Sequence, residues 1–426
     1  SQLFDQSVEA KIWGIAVRGL NQPSPPVFFP EYTKPGGLHY VYRELDFWTS
    51  GFFPGSLHLL LERRRNHGSM IFPDDATTQS VHELHLEHAC KVWTESLHQN
   101  ALLRNTHDIG FMIMPWARPA YELNHDLRAL ETIKTAALSL YSRFDARIGC
   151  IRSWDTCVTK KYNFRDPRSE FMMIIDNMMN LDLLFYAASK THNKEMHAAA
   201  VEHARTTMRT HIRADGSTTH LVVFDTNTGE IRQRLTNQGY SHTSCWSRGQ
   251  AWAIAGFAET YMWTHEREFL DTARRCADHF LGRLAESNIV AWDFDAPETE
   301  GTKRPTDTSA AMIAAYGMVL IHKALLQTGE TSDYLLAALK ITNNVCANNI
   351  NHKASFTATK HDIETVEHGS ITNTTLGVDM GESETILNGA TINNYEFAPR
   401  RWADHGLVYA DYFFILLGNR LLDFGL

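Results

Sequence analysis

The first residue with chemical interest is a carboxylate set among methionines. In Phe171–Ala188, FMMIIDNMMNLDLLFYAA, Asp176 is flanked by Met172, Met173, Ile174, Ile175, Met178 and Met179. Burying a carboxylate costs free energy unless the group is paired or put to use. Desolvation disfavours its charged form and raises its pKa. An acid still protonated near neutral pH is what general-acid catalysis requires. The same burial also suits an aspartate that caps a neighbouring helix or bonds a loop backbone. A second carboxylate stands in His107-Asp108-Ile109-Gly110-Phe111, ahead of the apolar run FMIMPW. Read locally, Asp108 is an ordinary helix N-cap. Brought close to Asp176, each carboxylate would make the other harder to ionise. Such a pair also serves ordinary glycosidases.

A third cluster is Asn237–Phe257, NQGYSHTSCWSRGQAWAIAGF. Ser244 or Ser247 can cap a helix that starts near Arg248, and the free N–H groups of that end favour an anion. Arg248 brings a fork matched to a carboxylate. Trp246 offers an apolar face for a sugar ring, and Gln238 a neutral hydrogen-bonding group. The alternative is a packed loop with Arg248 in a structural ion pair. Trp48–Gly55, WTSGFFPG, is either turn chemistry or a pair of aromatics that stack on sugars. His220, in TTHLVV, is either a donor to a substrate or a half-exposed strand residue.

These residues need a frame. Apolar periodicity predicts helices over about residues 5–20, 52–65, 80–104, 107–116, 126–144, 168–190, 194–212, 247–264, 266–286, 307–328, 332–349 and 404–422. Asp176 thus falls inside a predicted helix. Thr218–Asp225 followed by Thr228-Gly229 predicts a hairpin, Arg147–Trp154 an extended piece, and Pro23–Pro35 a loop. Several helices are apolar nearly all round and must be covered on both sides. Two concentric rings satisfy this, so an all-α, closed α/α barrel with short β segments is expected rather than an open solenoid. No clean repeat period is visible. No break in composition divides the chain, so residues 1–426 read as one domain.

Composition narrows the partners. Of 426 residues, 43% are apolar and 21% charged, with a net charge of −9. That balance argues against nucleic acid but not against a small anion met by one local arginine. The six cysteines show no CxxC spacing, so a zinc site is not expected, and none of the His or Cys spacings suggests another metal. They are expected reduced, with Cys150 and Cys157 the pair that secretion would join. One N-x-T sequon occurs, at Asn373. No apolar run reaches membrane-spanning length. The N-terminal residues lack a signal-peptide pattern. Together with the scattered cysteines this favours a cytoplasmic location, with secretion as the alternative if the N-terminus was trimmed.

Seven segments, taken together, resemble glycoside hydrolase family 88, the unsaturated glucuronyl hydrolases. They are WTSGFFPG, HDIGFM, IIDNMMNLDLL, NQGYSHTSCWSRGQAWAI, AWDFDAP, DTSAAMIAAYGM and DHGLVYADYFF, in this order and across most of the chain. The resemblance implies an (α/α)6 barrel. It implies Asp176 as general acid/base and Asp108 as the second essential aspartate. It implies His220, Gln238, Trp246 and Arg248 as substrate-binding residues, Arg248 facing the uronate carboxylate, and Trp48 as an aromatic of the saccharide site. The implied reaction releases 4,5-unsaturated glucuronic acid from lyase-generated oligosaccharides by hydration of a vinyl ether, without a cofactor. No nucleic-acid or membrane partner is implied, and the oligomeric state stays open. Leu61–Glu83 and Trp154–Pro167 look long beside bacterial members, which leaves aglycone preference open. Three other readings stand beside this one: an unsaturated rhamnogalacturonyl hydrolase, an inverting glucuronidase, and a sugar-binding barrel without catalysis.

Overall fold

The computed structural model describes residues 2–71, 80–284, 288–298 and 303–426. Twelve α-helices follow one another among the described residues: α1 Gln6–Leu20, α2 Phe52–Ile71, α3 Glu83–Thr94, α4 Ile109–Asn124, α5 Leu127–Tyr141, α6 Leu181–Thr191, α7 Lys194–His211, α8 Ser247–Thr264, α9 Arg267–Gly282, α10 Thr308–Gln327, α11 Tyr334–Asn348 and α12 Val408–Leu422.

Residue type sorts them into two rings. In α9 the buried positions Phe269, Leu270, Thr272, Ala273, Cys276, Ala277 and Phe280 form one stripe, as befits a helix with solvent behind it. In α8 every residue from Ser247 to Ala258 is buried, so neighbours cover it on all sides. The even-numbered helices are the inner ring. Each packs on the next, and α12 closes back onto α2. This is an (α/α)6 barrel. Among the described residues, the helix α10 alone has the length and apolar composition to cross a membrane, contrary to the sequence expectation. It is instead an inner-ring helix, 83% buried. Three inner helices end on a histidine in the left-handed region, His125, His192 and His265, with φ of 53°, 56° and 57°. That conformation stops each helix and turns the chain back into its outer partner.

The segment predicted as one helix over 168–190 is three elements. Glu170–Ile174 is a strand, Ile175–Asn180 a 3-10 turn, and only Leu181–Thr191 is α-helix. A short apolar run covered on both faces has no periodicity to tell strand from helix. Here it pairs antiparallel with Leu221–Asp225, Phe171 opposite Phe224 and Ile174 opposite Leu221. Asp176 is therefore held in a tight turn behind a strand, not inside a helix. The expected hairpin is present as Leu221–Asp225 with Ile231–Leu235, the other two strands of this sheet.

Part of the loop expected over Pro23–Pro35 is a strand, Phe28–Thr33, paired with Tyr40–Glu44. A long ribbon, Ser355–Thr365 with Gly369–Asp379, was not foreseen. The long segment Trp154–Pro167 makes a small two-stranded hairpin, Cys157–Val158 with Asn163–Phe164. Within Leu61–Glu83, residues 72–79 lie outside the described residues. All six cysteines are free, Cys150 and Cys157 included.

Candidate active site

The N-terminal ends of the six inner helices meet at one mouth. Trp48, leading into α2, packs on Phe111 of α4 at 5.5 Å and on Tyr409 of α12 at 5.0 Å. Asn180, leading into α6, accepts a hydrogen bond from Phe111 N at 3.1 Å. In α8, Gly249 sits against Ile175 and Gly256 against Met178 of the 3-10 turn. Arg248 pairs with Asp307, the residue before α10, at 2.8 Å. Its guanidinium also lies 5.4 Å from the ring centre of Tyr409. All seven residues singled out in the sequence gather at or beside this mouth.

Asp176 is 8% exposed. Burial pushes its carboxyl up to about 6, and Asp108 adds to the rise while His107 and Arg248 oppose it. Its Oδ1 has no hydrogen-bond partner among the described residues. His220 Nε2 lies 3.8 Å from that atom. His220 Nδ1 accepts from Asn237 N at 3.0 Å, so the ring's proton sits on Nε2 and faces Asp176. Burial pushes the imidazole down to about 3, so the ring is neutral at ordinary pH. The backbone holds the two side chains together, because Ile175 N donates to His220 O at 3.0 Å.

Asp108 precedes α4 but does not cap it. Asn180 takes the N–H of Phe111 instead. This approach needs glycine at position 110, where a Cβ would stand 2.3 Å from Asn180 Oδ1. The freed carboxylate accepts from Thr106 Oγ1 at 2.8 Å. Its Oδ1 lies 3.1 Å from His107 Nε2. His107 is fully buried, and neither ring nitrogen is aligned for a hydrogen bond. Its backbone N–H donates to Ser153 O at 3.1 Å, and Ser153 Oγ accepts from Ile174 N at 3.0 Å. Ser153 thereby fastens the segment bearing Asp108 to the strand that leads into Asp176. Sequence reading quoted His107 only as the neighbour of Asp108 and gave Ser153 no role. His107 had a signal, its place beside Asp108; Ser153 had none.

Arg248 has the ion pair that one of its two readings foresaw. The side chain is 2% exposed and in an ion pair with Asp307, which is not exposed at all. It also donates to Gln238 Oε1 at 2.9 Å. Trp246 is 3% exposed, with His220 and Arg248 each 4.8 Å from its ring centre. The open ring face expected for a sugar is therefore largely covered by protein, while Trp48 is only half-buried. Asp307 was quoted in the sequence only as part of a motif. Its cap role is visible there as an aspartate before an apolar helix, and its partner is not. A cleft of about 360 Å³ lies behind the same loop, lined by Arg213, Tyr240, Ser244, His279 and Arg283 among others, and holds none of the seven. Among the described residues, no three His, Cys, Asp or Glu side chains are grouped to hold a metal ion.

Comparison with known proteins gives the family of the chain. Residues 87–368 match the model of Glycosyl Hydrolase Family 88. An unsaturated chondroitin disaccharide hydrolase of Streptococcus agalactiae serotype III (strain NEM316) is 31% identical over 300 residues, covering 70% of this chain and 69% of that protein. An unsaturated glucuronyl hydrolase of Bacillus sp. (strain GL1) is 31% identical over 329 residues, covering 77% of this chain and 80% of that one. The crystal structure of an unsaturated glucuronyl hydrolase specific for heparin superposes with a TM-score of 0.77 at 26% identity, covering 100% of this chain and 98% of that one.

Proposed function

The chain belongs to glycoside hydrolase family 88, and from that premise we propose that it removes 4,5-unsaturated glucuronic acid from the non-reducing end of lyase-generated oligosaccharides. The observation that carries this reading is Asp176 Oδ1, a buried atom without a partner among the described residues, on an acid pushed up to about 6. The relatives' names include chondroitin and heparin, so unsaturated glycosaminoglycan disaccharides are the first substrates to try.

The substrate's C4=C5 bond is conjugated to the carboxylate, and C5 bears the ring oxygen. The sugar is a vinyl ether. In this reading protonated Asp176 gives its proton to C4, which leaves an oxocarbenium-like cation centred on C5. Asp176, now a carboxylate, takes a proton from water as the water oxygen adds to C5. The hemiketal opens and the aglycone leaves. His220 Nε2–H faces the carboxylate formed in the first step, and an N–H donor stabilises that ionised form. Asp108 opposes ionisation of Asp176 before the proton is delivered. Gln238 and Trp48 supply contacts to the saccharide. Arg248 and Trp246 form the wall behind them. The chain acts as one catalytic domain, because the inner ring closes only between α12 and α2.

The test is turnover in deuterated, oxygen-18-labelled water, with both labels located by NMR and mass spectrometry at early times. Oxygen-18 at C5 and deuterium at C4 are expected. Oxygen-18 at C1 without deuterium at C4 would replace hydration with direct hydrolysis by the Asp108–Asp176 pair.

A further inference from the structure

Arg248 donates from Nη1 to Asp307 Oδ2 at 2.8 Å and Thr391 O at 2.7 Å. It donates from Nη2 to Gln238 Oε1 at 2.9 Å and Ile392 O at 2.6 Å. Each terminal nitrogen carries two N–H groups. All four therefore meet protein acceptors, and the fork has no free pair for a substrate carboxylate.

What this arrangement does fix is Gln238. A guanidinium only donates, so the amide atom facing it has to be the oxygen. Gln238 Nε2 is turned the other way and has no protein partner among the described residues. Gln238 itself is half-buried beside Asn237, whose N–H holds His220 toward Asp176. The chain of contacts begins at a rigid point. Asp307 Oδ1 accepts from Ser309 N at 3.0 Å and Ala310 N at 3.4 Å, the first turn of α10. Its other oxygen holds Arg248, and Arg248 holds the amide.

We infer that Asp307 and Arg248 are positioning residues that turn Gln238 Nε2 toward the acidic sugar, so that a neutral amide donor, not a cation, meets the uronate at this point. This rests on the functional reading above. It departs from the role that resemblance gave to Arg248, and it assigns Asp307 a part in substrate recognition.

The experiment is a double-mutant cycle on an unsaturated disaccharide, with kcat and KM measured for wild type, Asp307→Asn, Gln238→Ala and the double variant. Losing a well-placed donor to a charged group raises KM about tenfold. Asp307→Asn should do this with a much smaller change in kcat. In the Gln238→Ala background the same substitution should move KM by less than about twofold, because coupled residues are not additive. Additive losses overturn the inference and leave Asp307 a merely structural residue. Breaking a buried ion pair is destabilising, so a second variant decides if Asp307→Asn does not fold. Gln238→Glu keeps an oxygen for Arg248 but turns its other oxygen onto the sugar, as an acceptor with like charge. A rise in KM of about tenfold or more is expected there, since like-charge contacts are strongly unfavourable. An unchanged KM overturns the inference. Wild type without activity on any unsaturated uronide would overturn the functional reading and this inference with it, whereas an active wild type with additive variants overturns this inference alone.

Discussion

Helix α8 joins two clusters of buried charge that share a scaffold and differ in use. Arg248 stands in its first turn at the mouth. Glu259 lies eleven residues further on, roughly 16 Å along the axis, in the part of the helix that leads to the base. Burial pushes Glu259 up to about 8, with Asp182 adding to the rise. That is a larger displacement than the one on Asp176, which reaches about 6. Yet the two carboxylates at the base each accept a hydrogen bond from the protein. Glu259 Oε1 accepts from Tyr316 OH at 2.8 Å, and Asp182 Oδ1 accepts from Trp263 Nε1 at 2.7 Å and from Arg118 Nη1 at 3.3 Å. At the mouth, Asp176 Oδ1, His220 Nε2 and both nitrogens of His107 have no such partner. A displaced pKa marks burial, and structural networks produce it as readily as active sites do. Buried polar atoms left unpaired are the rarer feature, and at the mouth four of them, on Asp108's neighbour His107, on Asp176 and on His220, stand together where a substrate would complete them.

The sharpest test of this contrast pairs two conservative substitutions. Asp176→Asn should lower kcat about a thousandfold or more, within the range expected for loss of a general acid. Glu259→Gln should stay within about threefold of wild type, because it touches no reacting atom. Equal losses in steady-state assays would erase the distinction between mouth and base.

The next effect is on substrate selectivity. Read from resemblance, Arg248→Ala should weaken binding of the acid and spare its methyl ester. The filled fork gives a different expectation, a loss of about tenfold or more that is nearly equal for acid and ester. Titration calorimetry with both ligands measures the ratio, and a strongly acid-selective loss would return Arg248 to the role of carboxylate anchor.

Stability against pH gives a third, smaller effect. The unfolded chain ionises Asp176 near 3.8, whereas the folded one holds its proton to about 6. The folded state therefore binds more protons between these values, and stability from this group falls as pH rises through the window. Above it the loss is about 3 kcal/mol. Asp176→Asn should accordingly raise the melting temperature at pH 7 and raise it much less at pH 4. Turnover by wild type should fall as pH rises past about 6, where the acid loses its proton. A melting gain independent of pH would detach the shift from Asp176.

The smallest effect belongs to the base alone. His265 ends α8 with φ of 57°, a region that costs non-glycine residues about 1 kcal/mol. His265→Gly should stabilise slightly, by less than about 1 kcal/mol, and leave kcat and KM unchanged.

Much of the frame was legible because outer helices carry a one-sided 3.6-residue stripe, while inner ones are apolar runs too long to be strands. Where burial on both faces removed that period, at Glu170–Ile174, the reading failed and put Asp176 in a helix. The ribbon Ser355–Thr365 with Gly369–Asp379 failed for the opposite reason. Nearly all of it is exposed, so neither face sets up an apolar alternation. The hairpin repeat had no fixed period, but it left a trace at Asn124-His125-Asp126, Thr191-His192-Asn193 and Thr264-His265-Glu266, the three left-handed turns. Among the site residues, the burial of Asp176 followed from its methionine neighbours. Trp48, Asp108, His220 and Gln238 rested on resemblance, since each also suits an ordinary turn, cap, strand or loop. Asp307 and Ser153 act through partners far away in sequence, and nothing local announces a partner.

The contact between Trp48 and Tyr409, 5.0 Å apart across the seam of the ring, sets an order on how this protein comes into being. During synthesis Trp48, Asp108 and Asp176 all emerge long before α12. The wall on which Trp48 rests is missing until the last inner helix arrives and shuts the circle. Pairings this distant along the chain form late and slowly. Activity is thus a property no nascent fragment can display, and its appearance in a translation reaction would time the moment the circle closes.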